Sequence, residues 1–158
     1  MTTVLRRRFL LTLAAAPLAA CSAPTADAPP VTGLPLHPNE TPALRASINR
    51  WADHYEVPRS LVHRLATRES THNPTARNGP YYGLLQILPQ TAQTMGFKGQ
   101  PAELLNADTN LEYAVKYLRG AWLLSDGDHA TAIGWYARGY YFEAKRRGML
   151  VETGLRSS

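Results

Sequence analysis

The chain has 158 residues, with 17 lysines and arginines against 12 aspartates and glutamates, a length that suits one domain with one core. Residues 1–20 carry three of the arginines and no acidic residue, so the rest of the chain has a net charge of only +2 (14 basic and 12 acidic residues). This near balance, in a sequence with no base-stacking module, argues against a nucleic-acid partner.

The first twenty residues have the layout of an export signal. Arg6-Arg7-Arg8 forms a positively charged segment, and an apolar run of twelve residues follows over 9–20. Such a run is too short to span a bilayer as a mature helix, which favours a signal segment. Cys21 is the only cysteine of the sequence and directly follows the apolar run, so it has no partner for an intramolecular disulfide.

This N-terminal segment resembles a bacterial lipoprotein signal, whose cysteine becomes the lipidated first residue of the mature chain. The resemblance implies lipidation at Cys21 and a membrane partner through an N-terminal lipid anchor. A plain secretory signal with a chance cysteine is the alternative. Arg6-Arg7-Arg8-Phe9-Leu10 also resembles the twin-arginine export pattern, so that route and the general secretory route both stay open. Ser22, by resemblance to lipoprotein sorting, implies the periplasmic face of the outer membrane, if the organism has one.

The next stretch reads as a tether. Residues 21–40 contain five prolines among alanine, serine and threonine, and such a composition cannot bury enough apolar surface to fold. We therefore expect a disordered tether over 21–40, one folded domain over 41–150 and a flexible tail over 151–158.

Helical periodicity dominates the expected domain and predicts an all-α fold. Apolar residues recur at three- and four-residue steps over 41–55, where Thr41 is a plausible N-cap. Pro58 starts a second helix, and a loop is expected over 70–82 because of its Asn-Pro and Asn-Gly-Pro turn signals. No alternating run of strand length stands out. Further helices are expected over 89–95, 106–125, 129–137 and 140–147.

Glu69 lies on the apolar stripe of the second helix, at its C-terminal end. It follows Leu65 by four residues and Val62 by seven. Burial and the negative end of the helix dipole both disfavour an ionised carboxylate, so we expect a raised pKa. A carboxylic acid that stays protonated near neutral pH can donate a proton to a leaving oxygen. The alternative is a surface glutamate paired with Arg68 or Arg64.

A glycine turn and a lone amide follow in the segment Gly83-Leu84-Leu85-Gln86-Ile87-Leu88-Pro89. Gly83 allows close approach of another backbone or of a ligand. Gln86 is the polar residue of an otherwise apolar run. Its amide either holds a sugar hydroxyl or N-acetyl group in a cleft, or caps the helix that starts at Pro89.

From about Val57 to Gly139 the chain resembles the soluble lytic transglycosylase (SLT) domain of the lysozyme-like superfamily, which includes goose-type lysozymes. The resemblance implies a single helical domain that cleaves the β-1,4 bond between N-acetylmuramic acid and N-acetylglucosamine in peptidoglycan, with Glu69 as the only catalytic carboxylate. It also implies that Ser70 neighbours the acid and that Gln86 and Tyr136 line the site. The matched residues are Glu69-Ser70, Asn73-Pro74, the block from Gly83 to Ala92, Asn110-Leu111, Tyr117-Leu118 and Tyr136-x-x-Gly139.

An enzyme of this family needs only one carboxyl group. It donates a proton to the leaving oxygen and then takes the proton of the muramyl 6-hydroxyl, which closes a 1,6-anhydro ring in an intramolecular attack. No second acidic residue has a position that argues for two-carboxylate hydrolysis. A hydrolytic lysozyme of the same fold, a non-catalytic peptidoglycan-binding or assembly lipoprotein, and an enzyme acting on chitin-type substrates are the alternatives.

Three segments depart from the family pattern. The usual Asn is missing after Tyr136, which could instead be a core residue packed with Tyr140. Asn78 stands where the family commonly has a serine near the acid, and is either a site residue or part of an Asn-Gly turn. Tyr81-Tyr82 replace smaller residues, and their rings can stack on sugars or fill the core. We take Tyr82 as the substrate-binding candidate of the two.

The sequence shows no metal-binding motif. His63, His72 and His129 form neither a His-Glu-x-x-His pattern nor another metal-ligand spacing. We therefore predict no metal and no cofactor, and we expect a monomer whose partners are peptidoglycan glycan strands and, through the lipid anchor, the membrane of the cell envelope.

Overall fold

The computed structural model describes residues 35–157. The predicted signal segment, Cys21 and the first part of the tether lie outside the described residues. Within them the chain is almost entirely helical, which confirms the all-α class. None of the described helices combines the length and the apolar character needed to cross a membrane. The elements are α1 (Pro42–His54), α2 (Arg59–Ser70), β1 (Arg77–Asn78), β2 (Tyr81–Tyr82), α3 (Pro89–Thr94), a 3-10 helix (Pro101–Leu105), α4 (Ala107–Leu123), α5 (His129–Arg138) and α6 (Tyr141–Arg146).

Side-chain caps define the starts of three helices. The Thr41 hydroxyl accepts a hydrogen bond from the Leu44 backbone N–H at 3.1 Å, and Pro42 occupies the first helical position of α1. Asn106 caps α4 and Asp128 caps α5 in the same way. These caps are local in sequence, which is why the predicted helix starts agree with the structure to within a residue or two.

Helix α4 forms the centre of the domain. It packs against α1, α3, the 3-10 helix and α5, while α1 also packs against α2. Trp122 of α4 is only partly buried and packs at the edge of this core. The completely buried large side chains include Ile48, Leu61, Leu65, Leu84, Leu85, Leu111 and Leu118.

A short hairpin interrupts the segment expected to be loop. β1 and β2 pair antiparallel, with Arg77 opposite Tyr82 and Asn78 opposite Tyr81. Gly79, at φ 56°, begins the turn between them. Strands of two residues are too short to show alternation in the sequence, so the pattern could not indicate them.

Residues on both sides of the predicted domain pack onto it. Glu40, expected in the tether, is buried and forms an ion pair with Arg45 at 2.6 Å. Thr153, expected in a flexible tail, is also buried; its hydroxyl donates to the Met149 carbonyl oxygen at 2.6 Å, and Leu155 packs against the core. Within residues 35–157 the domain is therefore longer at both ends than composition suggested.

Candidate active site

A cleft of about 550 Å³ lies beside the C-terminal end of α2. The hairpin, the segment leading into α3, and the end of α5 form its other walls. Of the six site residues expected from the sequence, four line this cleft: Glu69, Asn78, Gln86 and Tyr136. The other two, Ser70 and Tyr82, do not line it.

Glu69 projects into the cleft from the last turn of α2. Its side chain is 21% exposed, and burial raises the pKa of its carboxyl above the ordinary value. The Arg68 guanidinium, whose Nε lies 3.5 Å from Oε1, lowers this pKa without cancelling the effect of burial. Within residues 35–157, no N–H or O–H group donates a hydrogen bond to the Glu69 carboxylate. The raised pKa expected from burial is thus confirmed.

Ser70 holds the end of α2 in place rather than lining the cleft. Its hydroxyl donates to the Leu84 carbonyl oxygen at 2.7 Å and accepts from the Asn73 backbone N–H at 3.1 Å. One bond reaches Leu84, in the segment 83–88 that leads into α3 and that we call the cleft floor. The other reaches the loop after the helix. Ser70 therefore positions the helical turn that carries Glu69.

Asn110 supports the cleft floor from the core. It is completely buried; its Oδ1 accepts from the Leu85 N–H at 2.9 Å, and its Nδ2 donates to the carbonyl oxygens of Tyr82 and Leu104. Gly83 has φ 74°, and a Cβ there would collide with the Leu104 carbonyl oxygen and the Asn110 amide. Only glycine fits this position, because both the backbone conformation and the space exclude a side chain.

Gln86 completes the floor. It is buried with φ 47°, and its Nε2 donates to the carbonyl oxygens of Gly83 at 2.7 Å and Ala76 at 3.1 Å. Its Oε1 has no hydrogen-bond partner among the described residues. The alternative that Gln86 caps the following helix is wrong, since Leu88 is the N-cap of α3 and no side chain caps that helix. Gln86 instead joins the floor to the loop before the hairpin.

Tyr136 is both a core residue and a cleft residue. Its hydroxyl donates to the Leu85 carbonyl oxygen at 2.8 Å, and its ring packs edge-on against Tyr117 at 5.3 Å. Burial raises the pKa of Tyr136 well above its ordinary value, and the nearby charge of Glu69 and the phenol of Tyr117 raise it further. Tyr117 in turn stacks on Tyr140. The two roles considered for Tyr136 are therefore compatible.

The hairpin presents Tyr81, not Tyr82, to the cleft. Tyr81 is 40% exposed and lines the cleft with its register partner Asn78. Tyr82 is packed beneath the Arg77 guanidinium, which lies 3.8 Å from the ring centroid. Neighbouring residues of a strand point to opposite sides, so the choice of Tyr82 was off by one residue.

Two arginines and Thr91 line the cleft, although the sequence did not indicate a substrate-binding role for them. Arg68 and Arg138 give the cleft positive charge, and Arg138 is stacked 3.9 Å from the centroid of the Trp135 ring. The sequence signal that could have indicated Arg138 as a lining residue was its position within the Tyr136-x-x-Gly139 segment. Among the described residues that line the cleft, Glu69 is the single carboxylate.

Potential metal ligands lie outside this cleft. His63 and His72 come together with His37 and Glu40, from the segment before α1, although they show no recognised spacing in the sequence. His129, the third histidine considered as a metal ligand from the sequence, packs edge-on against Trp122. None of these residues lines the cleft.

A family model described as "Transglycosylase SLT domain" matches residues 46–148. This range contains the end of α2, the hairpin, the floor segment and all the residues that line the cleft. No solved structure matches the chain.

Proposed function

This chain belongs to the transglycosylase SLT domain family, and from that membership we propose that it is a peptidoglycan lytic transglycosylase. The proposed reaction cleaves the β-1,4 bond between N-acetylmuramic acid and N-acetylglucosamine and leaves 1,6-anhydromuramyl ends. The observation that carries the proposal is the environment of Glu69, a single carboxyl group in the cleft whose pKa is raised by burial.

In the first step, protonated Glu69 donates its proton to the glycosidic oxygen. The bond between that oxygen and the anomeric carbon breaks, and N-acetylglucosamine leaves with the proton. A raised pKa supports this role because a larger fraction of the carboxyl groups is protonated near neutral pH. A positioned general acid typically contributes about 10²–10⁴-fold in rate.

In the second step, the Glu69 carboxylate takes the proton of the muramyl 6-hydroxyl. The 6-oxygen attacks the anomeric carbon and closes the anhydro ring, and Glu69 is again protonated. Because the nucleophile belongs to the substrate, orientation replaces a bound water. Arg68, 3.5 Å from the carboxylate, supports this step because its charge favours the ionised form that exists between the two proton transfers.

The composition of the cleft supports a one-carboxylate reaction. Two-carboxylate glycosidases place their acids about 5–5.5 Å or about 6.5–9.5 Å apart. Among the described lining residues Glu69 has no carboxylate partner at any separation.

The cleft walls suggest how a glycan strand is held. Tyr81, exposed on the hairpin, offers a ring face on which a sugar can stack, and Asn78 beside it offers an amide. Arg68 and Arg138 offer positive charge to the carboxylates of stem peptides. In this proposal Ser70 and Gln86 act indirectly, by fixing the helix end and the floor.

We further propose that the protein acts in the cell envelope, anchored by a lipid on Cys21 at the periplasmic face of the outer membrane. This proposal rests on the sequence of residues 1–22 alone, which lie outside the described part of the structure.

Product analysis tests the function. The full chain is incubated with purified peptidoglycan sacculi, and the released muropeptides are weighed by mass spectrometry. We expect ends that weigh one water less than reducing ends, absent with Glu69→Gln and retained with Glu152→Gln, an exposed glutamate outside the cleft. Reducing ends would indicate a hydrolytic lysozyme. Equal background release by wild type and Glu69→Gln, with both bound to sacculi, would indicate a binding protein.

A further inference from the structure

Three histidines and one glutamate converge outside the cleft. His37 and Glu40 precede α1, His63 lies on α2, and His72 follows α2. Each offers one ligand atom, and the four atoms all lie within 4.8 Å of one another. His72 and the Glu40 side chain are completely buried, so the group is built into the domain rather than spread over its surface.

We propose that these four residues form a structural zinc site. The His63 Nδ1 atom lies 3.2 Å from His72 Nε2 and 3.5 Å from Glu40 Oε1. Tetrahedral zinc, with bonds of about 2.0–2.1 Å, spaces its ligand atoms by about 3.3–3.4 Å. These two separations are close to the spacing of ligands that share one ion, and all four ligand atoms lie within 4.8 Å of one another. Three imidazole nitrogens and one carboxylate oxygen are a donor set that zinc accepts.

The hydrogen bond on the far side of His63 directs its lone pair into the group. His63 Nε2 lies 3.2 Å from Asn49 Oδ1, and in the tautomer that donates from Nε2 to this oxygen the Nδ1 atom presents its lone pair to the group. That lone pair faces the Glu40 oxygen, which is also an acceptor. A cation between Nδ1 and the Glu40 oxygen would be attracted by both atoms, which lie 3.5 Å apart.

Glu40 is oriented as ligating carboxylates usually are. Arg45 donates through Nε to Oε1 at 3.0 Å and through Nη2 to Oε2 at 2.6 Å, and the His37 N–H donates to Oε2 at 2.9 Å. Such outer hydrogen bonds fix the direction of a carboxylate before a metal binds. The carboxylate is thereby held with Oε1 toward His63.

Backbone strain brings His72 into the group. Thr71 and His72 both have positive φ, 51° and 61°, directly after the last turn of α2. Non-glycine residues in this region are uncommon and persist where the surrounding structure over-determines them, often at functional sites. Here the turn carries the imidazole to a completely buried position, stacked on His37 with ring centroids 4.3 Å apart. Among the described residues its Nδ1 has no hydrogen-bond partner, so hydrogen bonding engages only one nitrogen of this buried ring.

The role that fits this site is structural. Four protein ligands close a tetrahedral site and leave no position for substrate. The ion would tie the segment that enters the domain to α2 through His63 and to the turn after α2 through His72, and the last turn of α2 carries Glu69. This inference does not depend on the proposed function, since none of the four residues lines the cleft.

Metal binding is tested directly on the full chain. It is made without a histidine tag and with Cys21→Ser, so that no thiolate competes, and is stripped with a chelator. Cobalt(II), a spectroscopic substitute for zinc, is added, followed by displacement with zinc. We expect the intense visible absorption of tetrahedral cobalt at one ion per chain, and its loss on adding zinc. Zinc at a hundredfold excess over its Kd should raise Tm by roughly 8 °C.

Variants distinguish the site from adventitious binding. His37→Ala removes an exposed ligand, so the fold should persist, and we expect affinity to fall at least about 100-fold. His54→Ala removes an exposed histidine of α1 outside the group and should leave affinity unchanged. The proposal is overturned if stripped protein gives no tetrahedral spectrum, or if the two variants bind zinc equally. Should His37→Ala not fold, metal content and the cobalt spectrum of the Cys21→Ser protein decide alone.

Discussion

Two glutamates of this domain are both removed from water, but their surroundings shift their pKa values in opposite directions. Glu69, in the cleft, has a side chain that is 21% exposed, and burial raises its pKa against the weaker, opposing effect of Arg68. Glu40, at the entry to the domain, has a completely buried side chain. Burial raises the pKa of Glu40 too, but hydrogen bonds from Arg45 and the His37 amide, with the charges of His63 and Arg45, bring it down to about 2.

Depth of burial therefore does not decide the protonation of these carboxyls. The more buried glutamate is the stronger acid, because three N–H donors point at it, while none in the described chain points at Glu69. Burial raises the pKa of a carboxyl, and this effect persists where few hydrogen bonds stabilise the ionised form. The hydrogen bonds around Glu40 hold the start of the domain in place. The Glu69 carboxyl accepts no such bonds in the described chain and so remains available for proton transfer.

The largest expected effect comes from Glu69→Gln. We expect the release of muropeptides to fall by about 10²–10⁴-fold, because the amide cannot transfer the proton. The variant should also unfold at higher denaturant concentration than wild type at pH 7.5. The sign follows from the raised pKa: folding favours the protonated form, so the ionised carboxyl lowers stability above its folded pKa.

The pH dependence provides the control for that variant. Below the ordinary value of 4.5, the carboxyl is protonated in both the folded and the unfolded chain. The difference in stability between Glu69→Gln and wild type should therefore shrink as the pH is lowered to about 3.5. A variant that is less stable than wild type at pH 7.5 would show that the Glu69 carboxylate is favourably paired, and would remove the basis of the comparison.

Glu40→Gln should give the opposite result. We expect the unfolding free energy to fall, because the change removes a buried carboxylate that accepts hydrogen bonds from Arg45 and from the His37 N–H. Denaturant unfolding in a chelating buffer measures the loss of this ion pair without any contribution from metal. Activity per folded molecule should stay within about twofold of wild type, since Glu40 does not line the cleft. Loss of activity without loss of stability would contradict the assignment of Glu40 to anchoring.

The fold could be predicted because its main signals, helix caps and helical periodicity, involve residues that are close in the sequence. The caps Thr41, Asn106 and Asp128 act within three residues of their own positions, and the buried faces of the helices follow a regular period. Contacts between distant residues could not be predicted. Asn110 bonds to the Leu85 N–H twenty-five residues earlier, and no property of Asn110 in the sequence names that partner.

The contrast between local and distant contacts also explains which site residues could be predicted. Glu69 was found because its helical period placed a carboxyl on an apolar stripe, and the resemblance to a family then pointed to Gln86 and Tyr136. Tyr82 was chosen instead of Tyr81 because a strand of two residues is too short for its sequence to show which side chain faces the cleft. The histidine group was missed because the structure joins His37 to His72 across thirty-five residues, without any motif spacing.

Arg68→Ala should give the smallest effect and the finest test of the comparison. Arg68 lowers the pKa of Glu69, so its removal should raise that pKa further. The alkaline limb of the kcat/KM profile, where Glu69 loses its proton, should move to higher pH. Half-exposed pairs of this kind contribute about 0.2–1 kcal/mol, so the displacement will be modest. Arg68→Lys keeps the charge and should leave the limb close to that of wild type. If the limb does not move in Arg68→Ala, or moves to lower pH, then the charge of Arg68 does not act on the group that controls the rate.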